Sequence, residues 1–163
     1  MIYIILIFSF LFEAAITNII PLNSLLTPLF LLTSLTLLYP YFKNKKLNYI
    51  IVCIICGLFY DITLTSSSFI NTLSFPLCGG LVILGYNYIN YNIFSSNFLN
   101  IVILIVYRII TYLLLCIIDF ISFDEMLLLE GIYNSLIANV IYGIFIYLLI
   151  DVLSKIFNIK RVE

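Results

Sequence analysis

LNYIIVCIICGLFYDITL, residues 47–64, runs from Leu47 to Tyr60 without a charged side chain and then places Asp61 near its end. The stretch is close to the roughly 20 apolar residues that a helix needs to cross the hydrocarbon core of a bilayer. It therefore predicts a membrane span with a carboxylate near one end. Gly57 lies one helical turn before that carboxylate.

The rest of the chain repeats the pattern. Of 163 residues, 64% are hydrophobic and 9% charged, and the mean hydropathy is +1.24. A soluble domain carries roughly 25% charged residues to solvate its surface, so this composition predicts an integral membrane protein. Apolar runs place six spans at 2–20, 25–42, 47–64, 71–89, 98–121 and 126–153. They are separated by NIIPLN, PYFKNKK, TSSSFIN, NYNIFSSN and SFDE, polar stretches whose backbone groups can meet water. The N-terminal MIYIILIFSFLFEAA has no basic segment before its apolar run, unlike a cleaved signal peptide, and reads as a retained first helix. The fold class expected is an all-α integral membrane protein, a compact single-domain bundle of six transmembrane helices.

Net charge is −1, and the informative feature is where the charges sit. Lys43, Lys45 and Lys46 cluster between the second and third spans, and Lys155, Lys160 and Arg161 follow the sixth. An even number of crossings separates the clusters, so the positive-inside rule puts both, and both termini, in the cytoplasm. Neither cluster is large or interleaved with aromatics, which argues against nucleic acid as a partner.

Ionisable groups inside a membrane are costly and need a partner or a purpose. Glu13, Asp61, Arg108, Asp119 and Glu130 are the candidates. Arg108 sits near the middle of the fifth span, with Asn97, Thr111, Tyr112 and Asp119 on the same helical face. Its expected partner is Glu13, with Asp61 as the alternative. It would fix helix register as a counter-ion, bind a ligand, or snorkel to an interface. Gly57, Tyr60 and the cysteines Cys53 and Cys56 form a stripe on the third span, with Asp61 at its edge, suited to close helix contact. The sixth span carries Glu130, Asn134, Ser135, Ala138, Asn139 and Tyr142 over an arc too wide for one neighbouring helix.

Catalysis is not indicated. The chain has no histidine, and Tyr60-Asp61 supplies one half of an intramembrane aspartyl protease pair without the Gly-x-Gly-Asp that completes it. The C-x-x-C at Cys53 and Cys56 lies among isoleucines with no further ligand, so it reads as packing, and no metal or cofactor is implied.

GLFYDI at 57–62 resembles the Gly-Leu-x-x-Asp motif of the rod shape-determining protein MreD family. IYNSLIANVIYGIFIYLL at 132–149 is similar to that family's last helix, with its Tyr-Asn followed by a later tyrosine. The family's proline before that asparagine is missing here, and Glu130 lies nearby instead. The resemblance implies a non-enzymatic scaffold of the bacterial cytoplasmic membrane. Its partners would be the single-span protein MreC and, directly or indirectly, the elongation-specific peptidoglycan synthases and the MreB filament. The family is also similar in fold to the substrate-binding subunits of energy-coupling-factor vitamin importers. Under that alternative Asp61, Glu130 and Arg108 would line a small-molecule pocket. Those subunits dock through an Ala-x-x-x-Ala pattern in the first helix, whereas here Ala14 is followed four residues later by Asn18. The orientation predicts that a cysteine placed at Ser67 reacts with an impermeant thiol reagent from outside the cell; labelling from the cytoplasm would reverse it.

Overall fold

The computed structural model describes residues 1–19, 28–42, 45–65 and 69–158. Among them the protein is all helical: α1 (Ile2–Ile19), α2 (Phe30–Leu38) continued by a 3₁₀ turn (Tyr39–Phe42), α3 (Lys46–Thr63), α4 (Ile70–Tyr86), α5 (Ile93–Ile117) and α6 (Glu125–Ile156). Lys43, Lys160 and Arg161 of the basic clusters fall outside the described residues. So do position 20 of the first expected span, positions 25–27 of the second, and positions 66–68 of the third connection.

Three helices, α3, α5 and α6, are long and apolar enough to cross a membrane, while α1, α4 and the segment Phe30–Phe42 are apolar but shorter. At 1.5 Å per residue α6 is about 48 Å long and α4 about 25 Å. Large apolar side chains stand exposed along the outer faces of α1 (Ile4, Ile7, Leu11), α3 (Ile51, Ile55, Phe59, Ile62) and α6 (Ile137, Ile141, Phe145, Leu148). Soluble monomers rarely carry continuous apolar surface on this scale. With three spanning-length helices, it marks a membrane protein.

The bundle is organised around its shortest helix. All nine residues of α2 are buried, and α2 touches α1, α4, α5 and α6. Tyrosines reach its far end: Tyr49 Oη donates to the carbonyl of Leu35 (3.3 Å) and Tyr91 Oη to that of Leu37 (3.4 Å). Near the middle, Ser9, Ser34 and Tyr142 close a hydroxyl triangle between α1, α2 and α6, with separations of 2.6, 3.3 and 2.7 Å.

Of the boundaries that depart from the sequence expectation (α2 starts at Phe30, α4 ends at Tyr86 and α6 runs on to Ile156), the two of α5 have a visible physical reason. Helix α5 begins at Ile93 and not near 98, because the Asn92 side chain accepts the Ser95 amide (2.8 Å) and caps it. The polar NYNIFSSN thus contains the helix start as well as the connection. Helix α5 stops at Ile117 because Asp119 takes a left-handed conformation (φ 56°). The amides of Asp119 and Phe120 then fold back to the carbonyls of Cys116 (3.1 Å) and Leu115 (3.0 Å), the paired bonds of a Schellman cap.

Helices α3 and α4 form an antiparallel hairpin and pack along much of their length. The buried face of α3 is Tyr49, Cys53, Gly57 and Tyr60, the repeat of three and four residues that lines one side of a helix. Gly57 makes the contact possible. A Cβ there would lie 2.8 Å from the carbonyl carbon of Asn71 and 2.9 Å from the Cα of Thr72, both backbone atoms with little freedom to retreat. Gly80 on α4 has nothing within 4 Å of the same position. Gly57→Ala should therefore destabilise the protein by about 3 kcal/mol, the upper range for overpacking. Gly80→Ala should be neutral or stabilising by up to about 1 kcal/mol through helix propensity. A thiol-reactive dye that reports exposure of the buried Cys53 and Cys78 during thermal unfolding in detergent would measure both.

Candidate functional site

A helix leaves its first amides without partners. Where those amides are buried away from water, each costs several kcal/mol unless an acceptor is supplied. Helices α2 and α4 both begin at residues with apolar side chains, Leu29 and Phe69, which cannot cap. Phe69 is moreover left-handed (φ 62°), a costly conformation for an aromatic residue. Other helices supply the acceptors in both cases.

Asp61, at the end of α3, caps α4. Its Oδ1 accepts from the amide (3.1 Å) and Nδ2 (2.8 Å) of Asn71 and from Thr65 Oγ1 (3.2 Å). Its Oδ2 accepts from the amide and Oγ1 of Thr72, each at 2.7 Å. Asn71 and Thr72 are the second and third residues of α4, the amides an ordinary N-cap side chain would take. A negative charge at this place also opposes the positive end of the helix dipole. Gly57 brings the same two residues against α3, so the glycine admits the backbone that the aspartate binds.

Helix α2 is capped from two sides. Glu13 Oε2 accepts the Leu31 amide (2.9 Å). Asn139 Oδ1, from α6, accepts the Leu29 amide (2.9 Å) and Thr33 Oγ1 (3.4 Å), while its Nδ2 donates to the Ser135 carbonyl (2.7 Å). Tyr60 joins the two caps: its hydroxyl donates to Glu13 Oε1 (2.6 Å), and its chain neighbour is Asp61. On the other side, Tyr107 Oη donates to Asn71 Oδ1. The result is a continuous polar chain, Leu31–Glu13–Tyr60–Asp61–Asn71–Tyr107, threading α2, α1, α3, α4 and α5.

The sequence-derived candidates sort into two groups. Glu13, Gly57, Tyr60, Asp61 and Asn139 belong to the caps, and Arg108 is buried beside Tyr107, within electrostatic reach of Glu13 and Tyr60. The expected Glu13–Arg108 ion pair is not a direct contact among the described residues; the two Glu13 oxygens accept from Tyr60 and Leu31 instead. Asp119, Glu130 and Asn134 are exposed. Asp119 leaves the Arg108 face because its left-handed turn ends the helix before that face reaches it, whereas Asn97, Thr111 and Tyr112 remain buried with Arg108. The wide polar arc of α6 divides: Ser135, Asn139 and Tyr142 face inward, and Glu130, Asn134 and Ala138 face outward. Ser9, Ser34, Asn71, Thr72 and Tyr107 complete the networks but were not singled out from the sequence. Asn71 and Thr72 carried a signal, a polar pair opening a helix ten residues after an intramembrane acid.

Fold and site together describe an all-helical membrane protein whose interior carboxylates serve as helix caps. The chain matches no family model, no curated protein and no solved structure.

Removing Asp61 withdraws every acceptor from the start of α4. Asp61→Ala should cost about 2–4 kcal/mol, and Asp61→Asn, which keeps one oxygen and loses the charge, about half as much. Tyr60→Phe leaves a buried Glu13 oxygen without its donor and should cost about 1–3 kcal/mol. Thermal midpoints in detergent should fall in the order unmodified, Asp61→Asn, Asp61→Ala; equal midpoints for the two aspartate variants would refute a role for the second oxygen and the charge.

Proposed function

We propose that this protein is a scaffold of the MreD type. Its six helices would cross the bacterial cytoplasmic membrane with both termini inside, holding a single-span MreC-like partner in the cell-elongation complex that supports peptidoglycan synthesis and cell shape. It would work by binding, without catalysis or a cofactor.

The observation that carries this proposal is the division of polar groups between interior and exterior. Of the acids that a small-molecule pocket would use, Asp61 is occupied by protein donors and Glu130 is exposed on α6, while the buried Glu13 is occupied as well. Among the exposed residues of α6, Glu130, Asn134 and Ala138 are polar or small and four residues apart, and so lie in one row. An amide facing hydrocarbon gains by hydrogen-bonding a neighbouring helix, and a small residue beside it lets that helix come close. Asn134 is also the centre of the second motif in the resemblance, and the first motif, Gly57 to Asp61, has a mechanical use in joining α3 to α4. One half of the resemblance thus supports building the bundle, and the other half supports presenting it.

Asn134→Leu and Glu130→Gln should lower co-purification with the single-span partner several-fold while leaving the thermal midpoint of the isolated protein unchanged. Undiminished partner capture by the double variant, together with loss of small-molecule uptake by cells carrying it, would replace the scaffold with the importer alternative. Genes for an MreB filament and a single-span partner beside this one would favour the scaffold, and transporter ATPase genes the importer.

A further inference from the structure

The hairpin between α5 and α6 reaches further than α3 and α4. The Tyr107 hydroxyl donates to Asn71, the second residue of α4, so the two stand at about one level. Helix α5 nevertheless continues to Ile117, ten positions and about 15 Å beyond. Helix α6 begins at Glu125, about 21 Å before Asn139, which holds the start of α2. None of residues 113–130 is buried, whereas Thr111, Tyr112 and Gly131 on either side are. At the opposite end of α5 the exposed Asn87, Asn90 and Asn92 mark one membrane surface. Counted from Asn92, a hydrocarbon core of about 30 Å takes up roughly 20 residues of α5 and ends near Tyr112. Residues 113–130 therefore stand at and beyond the other surface.

This tip is ordered by its own contacts. Tyr112, fully buried, donates its hydroxyl to the Asp124 carbonyl (2.8 Å) and accepts from the Asp124 amide. Phe123 packs edge-on against the Tyr112 ring, with 5.9 Å between centroids. Asp124 Oδ1 caps α6 at the Met126 amide (3.0 Å). On this frame Ile117, Ile118, Phe120, Phe123, Met126 and Leu129 are each between 60% and 77% exposed. Asp119, Asp124, Glu125 and Glu130 are exposed among them, and residues 109–154 contain no lysine or arginine to balance them.

Apolar side chains left open outside the hydrocarbon mark an interaction surface. Lipid suits this one poorly, because the carboxylates stand between the apolar side chains and would be carried towards hydrocarbon with them, at a cost. A second copy suits it poorly as well, since two acidic tips repel. We propose that the α5–α6 tip is a docking site outside the hydrocarbon for a segment of a protein partner that is both apolar and basic. The inference rests on the scaffold reading, which supplies the partner. A helix held along Glu130, Asn134 and Ala138 leaves the membrane beside the tip, so the residues that follow its span are the ones that meet it. Glu130 belongs to both surfaces and makes them continuous. Apolar contact supplies affinity here, and the acids select the partner.

The test replaces Phe120 by the photoreactive p-benzoylphenylalanine in the full chain, in cells that also make the single-span partner. The expected result is a crosslink that mass spectrometry maps to a lysine- or arginine-bearing stretch of the partner just beyond its span. Asp119→Asn combined with Glu125→Gln should lower the yield about five-fold at an unchanged thermal midpoint, as loss of exposed charge pairs predicts. Salt added to isolated membranes should lower the yield of the unmodified charges likewise. Glu125→Lys should lower it further, and a glutamate in place of the mapped basic residue of the partner should restore it. If the neutralised variant loses thermal stability, the salt dependence decides in its place. Adducts with lipid alone, with a second copy alone, or with a stretch lacking basic residues would overturn the proposal, as would a yield indifferent to charge and salt. A partner that co-purifies and is released by Asn134→Leu, yet gives no crosslink at Phe120, would reject the tip and leave the scaffold standing. A partner that fails to co-purify with the unmodified chain would reject both.

Discussion

The contact between Asp61 and the first turn of α4 sets the geometry of the bundle. A buried helix start presents amides that cannot turn to water, so the fold must bring an acceptor to it. Asp61 does this from the preceding helix, and it can reach only because Gly57 lets the α4 backbone lie directly on α3. Its neighbour Tyr60 points the other way, to Glu13, which holds the start of α2. Two adjacent residues therefore fix the positions of two helix starts. The start of the central α2, which is buried on every side, is tied to α3 through the Glu13 carboxylate and the Tyr60 hydroxyl, and its far half through Tyr49.

This arrangement also separates charge from chemistry. A carboxylate in an apolar run invites an assignment as catalyst, proton carrier or ligand contact, since such groups are costly to bury. Here the cost is offset within the chain itself. Asp61 accepts two backbone amides and three side-chain donors, and Glu13 accepts an amide and a phenol. What is left for outside partners lies elsewhere, on the outward row of α6 at Glu130, Asn134 and Ala138.

How much of this could be read from the sequence depends on the distance over which each interaction acts. The helical, membrane class followed from composition, and most helices from the apolar runs. Gly57, Tyr60 and Asp61 stood out because the local signal was strong: a glycine and an aspartate one turn apart in a stretch, 47–64, with no other charge. The start of α5 was displaced because Asn92 looks the same in sequence whether it forms a loop or caps a helix. Asp119 was placed on the Arg108 face by helical periodicity, which says nothing about where a left-handed residue will end the helix. The role of Asn139 had no local signature, because the amide it accepts lies 110 positions earlier. The division of the α6 arc into an inner and an outer row also needed the tertiary structure, since both rows are equally polar in sequence.

The distances along the chain have a consequence for how the protein is made. The α3–α4 cap closes between residues 11 or fewer positions apart, so that hairpin can be complete as soon as both helices have left the ribosome. Helix α2 finds Glu13 already behind it, 18 positions upstream, but Asn139 is not yet synthesised. Until α6 emerges, 110 positions later, the Leu29 amide lacks its final acceptor. Helix α6 thus closes the structure around α2, a helix made well before it. During that interval a membrane insertase or chaperone would have to shelter α2.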